Sequence, residues 1–244
     1  MASKKFQNKL CVYCASNKST TADHIFAREF FPESERNNLP KTPSCQKCNS
    51  EKSVLEHYLT SVLPFGGRHA NASQSLLENV PKRLEKNRKL ASNLAKNQAL
   101  AFVDQGEKYL GTAFILPFDG TAYTALFGLI AKGLLYYHFD AVLNKDCQVQ
   151  AYALSDFGEM VFSKLLNMRG ATQISNRISG GEFVYQGLQG ADYPELSVWR
   201  MEVFGGVTLA GDSAEPYAQS NTLGMITARN DFFDGEVWRS FFDR

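Results

Sequence analysis

The chain has 244 residues, of which 44% are hydrophobic and 21% charged, with a formal net charge of +1. That composition belongs to a globular protein rather than a disordered or fibrous one, and no run approaches the ~20 apolar residues needed to span a bilayer, so a membrane role is not expected. The near-neutral total hides an asymmetry: residues 1–100 carry 16 Lys+Arg against 8 Asp+Glu, whereas residues 101–244 carry 10 against 17. A basic first part suits contact with a polyanion, because neutralising phosphate charge is the main source of affinity for nucleic acid.

Residues 1–9 form a short basic lead without the apolar stretch of a secretory signal. Four of the five cysteines then fall into two C-x-x-C pairs, Cys11 with Cys14 and Cys45 with Cys48. Two thiolates two residues apart grip one metal from a tight turn, and two such turns complete the tetrahedral sulfur shell of a structural Zn²⁺. That shell leaves no open position, so the ion is a staple and any catalysis belongs to the residues it positions. Free thiolates imply a reducing compartment, and a cytoplasmic location is expected. Cys147 stands alone as a packing or surface thiol.

Between the pairs lie Asp23-His24-Ile25 and Asn38-Leu39, and the second pair runs into Asn49 and Lys52. On these residues, about the first quarter of the chain resembles the HNH (ββα-metal) endonucleases whose motif is built on a four-cysteine zinc module. The resemblance implies that His24 is the general base, that Asp23 and Asn49 hold a catalytic divalent cation, and that Asn38, or its neighbour Asn37, orients the loop of the base. The chain departs from the family's pattern in the glycine-free loop Phe31–Arg36 and in the Pro-containing Lys41–Ser44.

The chemistry is coherent on its own terms. Phosphodiester hydrolysis needs an activated water, which a near-neutral imidazole supplies, and neutralisation of phosphate charge, which a hard oxygen-bound cation supplies. The Asp23 carboxylate and the Asn49 amide oxygen suit Mg²⁺ or Mn²⁺. Lys52, Arg28 and Lys41 are candidate nucleic-acid contacts, with Arg36 a weaker one. His57, two turns along the same helix, is a weak candidate ligand.

Asn49–Leu59 reads as the helix of this module, capped by Asn or Ser and ending before Pro64. Residues 68–100 form a second helical region in which Pro81 opens a basic segment, Lys82–Lys89, that either follows a nucleic-acid backbone or is simply solvated. Tyr109–Phe118 is strand-like. Gly120–Asp140 is apolar on more than one stripe, which predicts a central buried helix, with His138 packed at its end. Strands are expected at Gln148–Leu154, Glu182–Gln186, Leu196–Phe204, Val207–Ala210 and Thr222–Ala228, with a helix over Asp156–Met168. The fold class is therefore α+β: a zinc-stapled ββα module over residues 1–63, a basic helical connector over 64–100, and an α+β domain with a mainly antiparallel sheet over 101–244.

The expected function is a metal-dependent nuclease cutting nucleic acid, DNA in preference to RNA, of the restriction, mobile-element or antiviral-defence sort that the resemblance implies. The acidic residues 101–244 are the candidate surface for a protein partner. The alternative is a non-catalytic zinc module that binds nucleic acid or protein.

Overall fold

The computed structural model describes residues 4–105, 108–168, 170–207 and 222–240. The first cysteine pair sits on a turn closed by the Cys11 N–H donating to the Asn17 carbonyl at 2.9 Å and the Ala15 N–H to the Cys11 carbonyl at 2.8 Å. Strand β1 (Thr21–His24) then pairs antiparallel with β2 (Lys41–Ser44), His24 opposite Lys41 and Asp23 opposite Thr42. Helix α1 (Gln46–Val62) follows at once, with Cys45 as its N-cap. The helix starts three residues earlier than its apolar pattern indicates, since the second cysteine pair straddles its first turn and the capping role expected of Asn49 falls to Cys45.

Three short helices follow: α2 (Ala70–Glu78), α3 (Val80–Lys86) and α4 (Arg88–Asn97). Pro81 stands in the first turn of α3 as expected. Strands β3 (Ala99–Gln105) and β4 (Lys108–Ile115) form a separate two-stranded sheet, so the helical region ends short of residue 100. Helix α5 (Gly120–Phe139) is capped by the Asp119 carboxylate, which accepts from the Ala122 N–H at 2.9 Å. It buries nine residues and ends on Asp140 in the left-handed conformation.

The remaining elements are β5 (Cys147–Ala153), α6 (Asp156–Leu166), β6 (Thr172–Ile178), β7 (Phe183–Gln189), β8 (Ser197–Val203), β9 (Thr222–Arg229) and two short helices, α7 (Asn230–Asp234) and α8 (Glu236–Ser240). Among the described residues five strands form one antiparallel sheet in the order β5-β9-β8-β7-β6. The mixed helix-and-sheet class is thus as expected. Strand β6 escaped the sequence pattern because it is a polar edge strand with mostly exposed residues. The strand expected at Val207–Ala210 is reduced to Val207, which bridges to Gly67; residues 208–210 lie outside the described ones.

Strand β9 is buried along seven of its eight residues, which requires cover on both faces of the sheet. On one face Val161, Phe162 and Leu165 of α6 pack with Leu188, Val198 and Ile226. On the other, Leu126, Phe127, Ile130 and Leu134 of α5 share a core with Tyr185, Trp199, Met201 and Met225. That second core extends through Ile25, Phe26, Phe30, Phe31 and Leu59. The rings of Phe26, Phe30 and Phe31 meet that of Phe183 at centroid distances of 5.1, 5.2 and 5.2 Å. The aromatic residues that follow the Asp-His pair, Phe26, Phe30 and Phe31, anchor the cysteine-bearing segment on the sheet.

Candidate functional site

The sulfur atoms of Cys11, Cys14, Cys45 and Cys48 all lie within 4.8 Å of one another. A tetrahedral zinc with Zn–S bonds of about 2.3 Å separates its sulfurs by about 3.8 Å, so the four converge on one ion with small adjustments. Local backbone favours the thiolate forms of Cys11, Cys14 and Cys45, while burial and its cysteine neighbours raise Cys48. Peptide N–H groups of Cys45, Cys14 and Tyr13 are directed at Cys11, although its burial is the larger influence and leaves that thiol raised. Burial also works upward on Cys14, but the N–H groups of Asn17 and Ser16 outweigh it and bring that thiol down to about 7. The cluster is compatible with the structural zinc expected from the sequence.

The zinc-compatible turns set the end of β1. His24, half-buried, lies opposite the exposed Lys41 and near the exposed Arg28. Its pKa is lowered to about 4, chiefly by burial and then by the charges of Lys41 and Arg28, with Asp23 opposing. The imidazole is therefore neutral at pH 7 and able to accept a proton. The two exposed cations among those that depress it, Lys41 and Arg28, mark an electropositive rim at the strand end.

Asp23 points to the other side of the strand, as the period of two requires, and is 8% exposed. Its Oδ2 accepts from the Tyr13 hydroxyl at 2.6 Å and from the Lys52 ammonium at 3.0 Å. Lys52 is fully buried. It also donates to the His24 carbonyl at 2.7 Å and to Glu56 Oε1, so its three N–H groups meet three acceptors. Burial first, offset by Lys52, raises Glu56 to about 7. The expectation that Lys52 touches nucleic acid is corrected by this burial, because an ammonium enclosed on all sides cannot reach a phosphate.

The other sequence candidates are distributed unevenly. Asn49 is partly exposed in the first turn of α1, its N–H donating to the Cys45 carbonyl at 3.0 Å. Asn38 is exposed with φ of 65°, a left-handed turn position that Asn tolerates, three residues before β2. Arg36 Nε is engaged by the Phe31 carbonyl at 2.9 Å. His57 is exposed. In the basic segment, Arg83 is a staple, donating to the carbonyls of Thr60 and Glu29 at 2.7 and 2.8 Å.

A catalytic divalent cation finds only part of a donor set. Among the described residues the four cysteines are the one cluster of three or more His, Cys, Asp or Glu ligands. Asp23 retains Oδ1, while Oδ2 is committed to Tyr13 and Lys52. Asp23 Oδ1 and the Asn49 amide oxygen are donors of the hard-oxygen type that Mg²⁺ takes, and water and phosphate would have to supply the rest of its shell.

Sequence reasoning missed Tyr13, Glu56 and Lys132. Tyr13 lies inside the first C-x-x-C, and Glu56 stands four residues after Lys52, the helical spacing of an ion pair, so both left a readable signal. Lys132 had none: its Nζ reaches the Tyr13 carbonyl at 3.0 Å across 119 residues of chain. No protein-family model matches this chain, and neither a curated protein nor a solved structure does.

Proposed function

We propose that the protein is a nuclease of the HNH kind, hydrolysing phosphodiester bonds of nucleic acid, DNA first, at the end of β1. The observation that carries this reading is the position of His24 at the end of β1, opposite the exposed Lys41 and under the charge of the exposed Arg28, in the segment that carries the four-cysteine cluster. In this reading His24 takes the proton from a water that attacks phosphorus, and the bond to the leaving oxygen breaks. Arg28 and Lys41 bind the flanking phosphates. Asp23 Oδ1 and the Asn49 amide oxygen would hold a divalent cation, Mg²⁺ or Mn²⁺, which when bound neutralises charge on the phosphate.

The engagement of Asp23 by Lys52 and Tyr13 favours a second reading, a zinc module that binds nucleic acid without cutting it. Purified protein incubated with supercoiled plasmid, single-stranded DNA and RNA, with Mg²⁺, Mn²⁺ or a chelator, separates the two. Cleavage that is lost in His24→Ala while binding persists supports the nuclease. Binding with no cleavage in either protein, under any of these conditions, supports the second reading.

A further inference from the structure

We propose that Lys52 is the resident cation of the Asp23–His24 site, bracing the carboxylate and the strand end and keeping the free protein's affinity for divalent cations low until a phosphate joins. The part played by phosphate rests on the nuclease reading; the effect on metal affinity does not.

The geometry is unusual for a lysine. Its side chain has no exposed surface, and its three donors are taken by one backbone carbonyl and two carboxylates. A buried ammonium is tolerated only when paired in this way. Each partner ties a different part of the site. The His24 carbonyl fixes the peptide of the candidate base. Asp23 Oδ2 fixes the neighbouring carboxylate. Glu56, one turn along α1, holds the ammonium itself. Tyr13 adds a second donor to the same Oδ2 from between Cys11 and Cys14, which links the brace to the sulfur cluster.

This arrangement has an electrostatic consequence. A divalent ion arriving at Asp23 Oδ1 meets a carboxylate already neutralised by a close, poorly screened positive charge. Lysine and metal therefore compete for one negative group. A phosphate bound by Arg28 and Lys41 that reaches round the end of β1 to Asp23 Oδ1 would supply the negative oxygens that the protein withholds. Metal and substrate then bind together, each weak without the other.

The test uses zinc-loaded full-length protein and Mn²⁺ as the probe, followed by electron paramagnetic resonance. Lys52→Met/Glu56→Gln removes the ammonium while leaving the formal charge of the trio unchanged, and is expected to bind Mn²⁺ at least about tenfold more tightly than wild type. Tyr13→Phe keeps the ring, loses only the phenol donor and is expected to raise affinity about threefold. It is the smaller change should the double variant fail to fold. Asp23→Asn in either background abolishes the gain. An uncleavable phosphorothioate duplex raises wild-type Mn²⁺ affinity. Unchanged Mn²⁺ binding in a folded double variant, or in Tyr13→Phe, overturns the inference. Cleavage assayed in parallel keeps the two claims apart: the expected Mn²⁺ pattern without cleavage sustains the brace and sinks the nuclease, and cleavage with indifferent Mn²⁺ binding does the reverse.

Discussion

The ammonium of Lys132, midway along α5, donates to the backbone carbonyl of Tyr13 at 3.0 Å, between the first two cysteines. Burial lowers its pKa, and the attraction of Cys48, Cys14 and Cys11 opposes that lowering. A zinc ion with four thiolates carries a net double negative charge, and a lysine fixed beside it offsets part of that charge. Lys132→Met is expected to speed zinc loss to a chromogenic chelator several-fold while leaving His24 and its neighbours in place. Equal release rates would reduce Lys132 to a tether for the turn.

Arg28 and Lys41 are exposed, and both depress the His24 pKa through their charge. If they meet phosphates, each contributes a released counterion to binding. The slope of log K against log salt should become shallower by roughly 0.9 for each of Arg28→Ala and Lys41→Ala on duplex DNA. Arg36→Ala should leave the slope unchanged, since its guanidinium is held by the Phe31 carbonyl and paired with Glu33. Binding isotherms at four salt concentrations decide the matter.

Local chemistry was legible in the sequence and distant packing was not. The cysteine spacing announced its cluster because both pairs are formed by short turns. The long apolar run over Gly120–Asp140 announced α5, which is buried on several sides. Lys52 was misplaced as a nucleic-acid contact because a lysine early in a helix reads as an exposed charge; only the convergence of β1 on α1 encloses it. The aromatic residues after His24 looked like a loop anomaly until their partner Phe183, more than 150 residues away in the chain, came into contact. The polar edge strand β6 carries no apolar alternation, and its pairing with β7 defines it instead.

Helix α5 approaches β1 so closely that Gly133 has a structural purpose. A Cβ there would lie 3.0 Å from both Cγ1 and Cγ2 of Ile25, the residue after His24. Gly133→Ala gains about 1 kcal/mol of helix propensity, but forced overpacking costs roughly 1–3 kcal/mol. Net destabilisation of about 1 kcal/mol is expected, with a loss of cleavage out of proportion, because the displaced strand carries the candidate base. Combining it with Ile25→Ala, which removes both offending carbons, should give a positive coupling in a denaturation cycle. Strict additivity would show that the helix yields instead.

Glu182 offers a pH test far from the cysteines. The residue is fully buried immediately before β7; its Oε2 accepts from the Asn71 amide at 3.3 Å, while Oε1 has no partner among the described residues. Burial pushes its pKa up to about 8, Asn71 opposing and the charge of Glu35 adding. In the unfolded chain the carboxyl titrates near its ordinary value of about 4.3. Between those values the folded state holds a proton that the unfolded state has lost, so this group's contribution to stability is fully present below about pH 4.3 and declines as pH rises towards about 8. Glu182→Gln removes the titration and keeps the shape. Its melting temperature should fall less than that of wild type between pH 5 and pH 8.5, ending several degrees higher at the alkaline end, where a few kcal/mol is at stake. Glu56 titrates in the same window, so the comparison must be variant against wild type at each pH, which cancels the shared contribution. Parallel melting curves would mean that Glu182 is ionised in the fold and that a cation or water satisfies Oε1.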